Sequence, residues 1–104
     1  MPTLEVSHRP ERQRYELFVD GEHAGHITYV TIEDVLVLDH TKVLPAYEGQ
    51  GLASTLAKTV LDDLRDAKTD FKVECPYLKR WVSQHPDYAD VEVIDLPDSA
   101  EGTG

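Results

Sequence analysis

The pattern of apolar and polar residues assigns most of the secondary structure of this chain. Residues 4–8 alternate weakly and predict a first strand. Residues 9–14 are polar, contain Pro10, and predict a turn. Tyr15-Glu16-Leu17-Phe18-Val19 combines two aromatics with a β-branched residue, which suits a strand. Asp20-Gly21 follows at once, a strong hairpin signal. Residues 24–32 supply the returning strand, with Ile27, Tyr29 and Thr31 on one face. Glu33-Asp34 makes a second polar turn. Val35-Leu36-Val37-Leu38 is apolar on both faces, which predicts a central strand covered on both sides. That strand continues through Asp39-His40-Thr41-Lys42-Val43.

A helix is predicted from Gly51 to Ala67. Leu52, Leu56, Val60 and Leu64 recur every fourth residue, and Ala53, Ala57 and Leu61 widen the stripe. Residues 71–75 alternate with period two and predict another strand. Strand, helix and strand in succession imply a right-handed crossover and parallel pairing. Pro76 opens a short helix whose face is Tyr77, Leu78, Trp81 and Val82, and Pro86 ends it. Residues 91–96 form a last edge strand. The predicted fold class is α+β: an antiparallel meander, then a parallel β-α-β unit, with helices packed on a twisted mixed sheet. A single domain is expected over residues 1–97, followed by a small, polar, fraying tail at 98–104.

Composition narrows the function. The chain has 104 residues, 40% hydrophobic and 29% charged, as in a soluble globular domain. No apolar run is long enough to cross a bilayer. The first residues hold no basic region followed by an apolar stretch, so no secretory signal is expected. The one cysteine cannot form an internal disulfide. A cytoplasmic location is the expectation. The formal charge of -10 disfavours nucleic acid and anionic membrane as partners. It suits a cationic acceptor such as an amine, or simply keeps the protein soluble.

Candidate chemistry concentrates in Leu44-Pro45-Ala46-Tyr47-Glu48-Gly49-Gln50-Gly51-Leu52-Ala53, where a strand turns into a helix. Glycines at 49 and 51 leave backbone N–H groups bare at a helix N-terminus, a place suited to a phosphate or pyrophosphate. The same glycines also satisfy the dihedrals of a tight turn. Cys75 ends a strand just before a helix, where the dipole favours thiolate, although a lone cysteine is also an ordinary buried hydrophobe. His40 lies in the central strand, with a side chain suited to proton transfer near neutral pH or to a structural hydrogen bond. His23 and His26 flank a hairpin without a third ligand in view, so no metal site is expected.

The run Asp39-His40-Thr41-Lys42-Val43, followed by Tyr47-Glu48-Gly49-Gln50-Gly51-Leu52-Ala53, resembles the GNAT superfamily of acetyl-CoA-dependent N-acetyltransferases. Cys75-Pro76-Tyr77 and His85-Pro86-Asp87-Tyr88 resemble its short stand-alone subfamily. The resemblance spans the first strand to about Val91. It implies acetyl-CoA, or CoA, as cosubstrate. The pyrophosphate would meet Glu48, Gly49, Gln50, Gly51, Leu52 and Ala53. The pantetheine arm would follow the backbone of Thr41, Lys42 and Val43. Cys75 would lie beside the acetyl thioester, either as nucleophile or as pocket lining. His40 is the candidate base. Tyr77 would also contact the cosubstrate, Tyr77 or Tyr88 would protonate the leaving thiolate, and Lys79 and Arg80 either meet CoA phosphates or form a wet helix face.

Two departures from the superfamily pattern stand out. Ala46 occupies the position of an Arg or Gln three residues before the first glycine, which implies weaker CoA binding. The helical pair after the first strand is missing, which leaves the acceptor side open. The leading expectation is an N-acetyltransferase acting on an amine of unknown identity. The alternative is a non-catalytic CoA-binding or interaction module. Neither the acceptor nor the oligomeric state follows from the sequence.

Overall fold

Turn chemistry sets the strand order. In the computed structural model, which describes residues 3–94, the predicted strands become β1 (Leu4–Arg9), β2 (Arg14–Val19), β3 (Glu22–Ile32), β4 (Val35–Val43) and β5 (Phe71–Val73). They form one sheet in the order β1-β2-β3-β4-β5. The first three pairings are antiparallel and β4 pairs with β5 in parallel. Asp20 and Gly21 both take positive φ, at 50° and 86°. That is the twist a two-residue hairpin requires. Glu33 and Asp34 do the same without glycine, at 51° and 68°, a mildly strained turn.

The β4-to-β5 crossover is α1 (Leu52–Asp66), and α2 (Pro76–Ser83) follows β5. The stripe predicted for α1 is the buried one: Leu52, Leu56, Ala57, Val60, Leu61 and Leu64. It joins Tyr15, Leu17, Ile27, Tyr29, Leu38 and Val73 of the sheet and Leu78, Trp81 and Val82 of α2 in a single core. Each fully buried aliphatic side chain there contributes about 1.5–3 kcal/mol of apolar burial. Polar bonds lock the helices together. Trp81 Nε1 donates to Ser54 Oγ at 2.8 Å, and the Tyr88 hydroxyl donates to Asp62 Oδ1 at 2.6 Å.

Both helices therefore lie on one face of the sheet. The expectation that β4 is covered on both sides holds at Leu38 and Val37, which are buried on opposite faces, although no helix supplies the second cover among the described residues. Leu36 and Leu38 face the helices, while Val37, although buried, lies outside the core cluster. The apolar run has another cause: Val37 pairs across the strands with Val30, and Val35 with Ile32. The far face of the sheet has no helix on it among the described residues. Thr31 pairs with Leu36, on the same face as Ile27 and Tyr29, but is exposed. Of the last predicted strand, the described residues show one parallel bridge, Val73 to Val93. Asp95, Leu96 and the predicted tail at 98–104 lie outside the described residues.

Two irregularities shape the site. Tyr29 pairs with Leu38 and Thr28 with His40, so Asp39 is an extra residue bulging from β4. At the same level β5 leaves β4. Leu38 O accepts from both Glu74 N (2.8 Å) and Cys75 N (3.0 Å), and the pairing ends there. Residues 39–43 of β4 thus have β3 on one side and no strand on the other among the described residues. Leu44 N donates to Ala24 O at 2.8 Å. Antiparallel alternation then turns the backbone groups of Thr41 and Val43 toward the gap.

Candidate functional site

The gap between β4 and β5 leads directly to the glycine turn. After β4, a single 3-10 turn at Pro45–Tyr47 carries the chain to Gly49 and Gly51, whose φ values are 84° and 73°. A Cβ built on either glycine meets nothing within 4 Å. Side chains here would therefore be strained and would project into open space. Gly51 caps α1 and makes no side-chain cap bond. The N–H groups of the first helical turn are left without intrahelical partners.

These elements enclose a groove of about 180 Å³ lined by Val43, Tyr47, Glu48, Gly49, Gly51, Leu52, Ala53, Ser54 and Tyr77. Seven of the residues predicted for cosubstrate binding thus converge on it: Val43, Glu48, Gly49, Gly51, Leu52, Ala53 and Tyr77. Gln50 is exposed and does not line the groove, and Lys42 is exposed on β4. Tyr77 reaches the groove because Pro76 starts α2 immediately after Cys75. Burial, and secondarily the neighbouring Cys75, raise the Tyr77 hydroxyl above its ordinary value, so it stays protonated at neutral pH.

Cys75 is 2% exposed and belongs to the core on the helix side. Its Sγ lies 3.3 Å from Thr41 Oγ1. His40 does not join that contact. It pairs with Thr28 on β3, between the core-facing Ile27 and Tyr29, and so points to the opposite face, where it is exposed. His40 and Cys75 thus flank the gap from opposite faces of the sheet. The sequence brings their strand ends together, as expected, but the alternation of β4 separates their side chains.

The remaining candidates sort as follows. Tyr88 is buried, binds Asp62, and lies away from the groove, as do Lys79 and Arg80. His85 stacks on Trp81 at 3.8 Å and its Nδ1 bonds Trp81 O at 2.6 Å, which fixes the end of α2. His23 and His26 stack with ring nitrogens 3.5 Å apart. Among the described residues no group of three or more His, Cys, Asp and Glu could hold a metal ion. A separate, partly open cavity lies between β1, β2 and α1, lined by Val6, His8, Tyr15, Thr59 and Asp63, where Tyr15 Oη donates to Asp63 Oδ2 at 3.4 Å.

Sequence reasoning did not assign Tyr47 and Ser54 to the site. Tyr47 stands in the quoted motif, and its hydroxyl donates to Glu22 Oε1 at 2.8 Å. Ser54 gives no sequence signal, because its role depends on the indole of Trp81 reaching it across the helices. No helix among the described residues is long and apolar enough to cross a membrane.

A family model described as GCN5-related N-acetyl-transferase matches residues 14–91. Among similar proteins, protein NATD1 of Bos taurus is 31% identical over 85 residues, spanning 80% of this chain and 75% of its own length. Protein NATD1 of Gallus gallus and that of Mus musculus are each 29% identical over 85 residues, spanning 80% of this chain and 77% of their own length.

Proposed function

This chain belongs to the GCN5-related N-acetyl-transferase family, and on that premise we propose that it transfers an acetyl group from acetyl-CoA to an amine. The observation that carries the reading is the opening of β4 from β5 beside an uncapped, glycine-flanked helix N-terminus. The residues present fit a pyrophosphate at the turn: backbone N–H groups without partners, and two glycines facing open space. Glu48 is the charged residue of the groove lining and Ala46 is exposed. Binding therefore depends on backbone donors rather than on a cation.

Acetyl-CoA supplies an acetyl group activated as a thioester. The protein's own contributions follow from the geometry. Thr41 and Val43 offer backbone N–H and C=O groups to an extended arm lying in the gap, as a strand would. His40 takes the proton of the acceptor amine from the open face. Tyr77, held protonated, gives a proton to the leaving thiolate. Cys75 lines the gap from the helix side, near Thr41 Oγ1, and transfer is direct from thioester to amine.

The test is thiol release from acetyl-CoA in the presence of primary amines. His40→Ala should lower turnover by about a hundredfold with CoA affinity retained. Cys75→Ala should retain both CoA affinity and much of the turnover. An acetyl group on Cys75 that forms, and clears on adding amine, as fast as steady-state turnover would replace direct transfer by a covalent route. CoA binding without turnover of any amine would favour the non-catalytic module.

A further inference from the structure

The face of the sheet away from the helices carries a charged row that the proposed acetyl transfer does not use. Strand register places Arg9 beside Arg14, Arg14 beside Thr28, and Thr28 beside His40. The four residues thus form a straight line across β1, β2, β3 and β4. Two inter-strand spacings, roughly 10 Å, separate the Arg14 and His40 α-carbons. The line runs from positive to negative. At one end the guanidiniums of Arg9, Arg12 and Arg14 surround one carboxylate, Glu16, at 3.3, 3.4 and 2.6 Å. At the other end Asp39 accepts from Thr28 Oγ1 at 2.7 Å, next to His40 in the chain.

One carboxylate cannot neutralise three guanidiniums. The cluster keeps a surplus of positive charge on a chain whose formal charge is -10. The arginine side chains of 9 and 14 remain 43% and 26% exposed. Arg9 Nε is buried without a hydrogen-bond partner, because its approach to Glu16 is misaligned. An anion docking on this row would meet the exposed parts of the Arg9 and Arg14 guanidiniums, not the buried Arg9 Nε. A carboxylate or phosphate matches a guanidinium fork, and an ammonium is drawn toward Asp39 and His40.

We infer that the acceptor is an amine bearing an acidic group a few bonds from its nitrogen, bound with the acid on Arg9 and Arg14 and the nitrogen at His40. The inference rests on the proposed acetyl transfer for the role of His40. It reverses locally what the bulk charge suggests, since the acceptor is zwitterionic rather than simply cationic.

The experiment compares kcat/KM for γ-aminobutyrate and aminopropyl phosphate with that for γ-aminobutyramide, using acetyl-CoA as donor. At least a tenfold preference for one acidic probe is expected, expressed in KM, and the two acids distinguish carboxylate from phosphate. Arg9→Gln, at an exposed side chain with a misaligned ion pair, should cut that preference at least threefold. In parallel, the side-chain Nε–H signals of Arg9 and Arg14 are followed by NMR while the acidic probes and the amide are titrated. Saturable shifts with an acid and none with the amide are expected. Equal kcat/KM for acid and amide, or arginine signals that ignore the acids, overturns the inference. Arginine shifts without acetylation of any amine would leave the anion site standing and remove the acetyl transfer.

Discussion

The two faces of the sheet follow different rules. On the helix face, side chains from β2, β3, β4, β5 and both helices close to near-zero exposure around Leu38 and Val73. Their polar groups are spent on cross-links such as Trp81 to Ser54. The other face carries Arg14, Glu16, His23, His26, Thr28 and His40, all at least partly exposed except the buried Glu16, and Arg14, Glu16, His23 and His40 act on His26 by charge. Stability thus resides on one face, while charge and the candidate base sit on the other. The gap at Leu38 is where the two faces communicate, since β4 there offers Thr41 to the core side and His40 to the open side.

Substitutions on the two faces of β3 and β4 would break this contrast if it were wrong. Leu38→Ala should cost about 2–5 kcal/mol by denaturant titration, through cavity formation in a close-packed core. Val30→Ala, on the far face and 38% exposed, should stay within about 0.5 kcal/mol of wild type. Similar losses at both positions would show the open face to be a second core. Gly25→Ala should cost roughly 1–3 kcal/mol, because its Cβ would lie 2.6 Å from Lys42 O and neither backbone can yield freely.

The charged face is sharpened by pH. Glu16 is 3% exposed, with its arginine partners themselves wetter. Its pKa is governed first by burial, which raises it, against the hydrogen bond and charge of Arg14 and the charge of Arg12, which lower it; the net direction is down from 4.5. A carboxylate with a lowered folded-state pKa stabilises fully above the unfolded value, and that stability is lost as pH falls below about 4.5. Glu16→Gln should therefore cost about 1–2 kcal/mol at neutral pH and show a shallower loss of stability below pH 4.5 than wild type. Identical acid limbs would show that the arginines do not hold the carboxylate.

The smallest effect concerns His26. Burial first, then Arg14, His23 and His40, press its pKa below 6.5, against the opposing charge of Glu16. A histidine so lowered gives stability that is complete above 6.5 and declines as pH falls beneath it. NMR should show His26 titrating below 6.5, and Arg14→Gln should move its midpoint upward. An unmoved midpoint would uncouple the arginine cluster from the histidines.

Local pattern revealed most of the helix face in advance. The four-residue stripe of α1, the Asp20-Gly21 hairpin and the Pro76 start of α2 each rest on chemistry within a few residues. The glycine turn was legible for the same reason. The bulge at Asp39 and the parting of β5 at Leu38 were not, because pairing across β3, β4 and β5 decides them. That parity also decides which face His40 takes. The arginine row was equally hidden, since Arg9, Arg14, Thr28 and His40 share a line only once the register is known.

On the proposed reading, the glycine turn beside the β4–β5 gap holds the CoA moiety through backbone donors. Isothermal titration of the wild-type protein and of Gly51→Val with CoA tests it most directly. Saturable binding by wild type is expected, and none by a Gly51→Val protein that retains its helical circular dichroism. Equal affinity in the two folded proteins would contradict it.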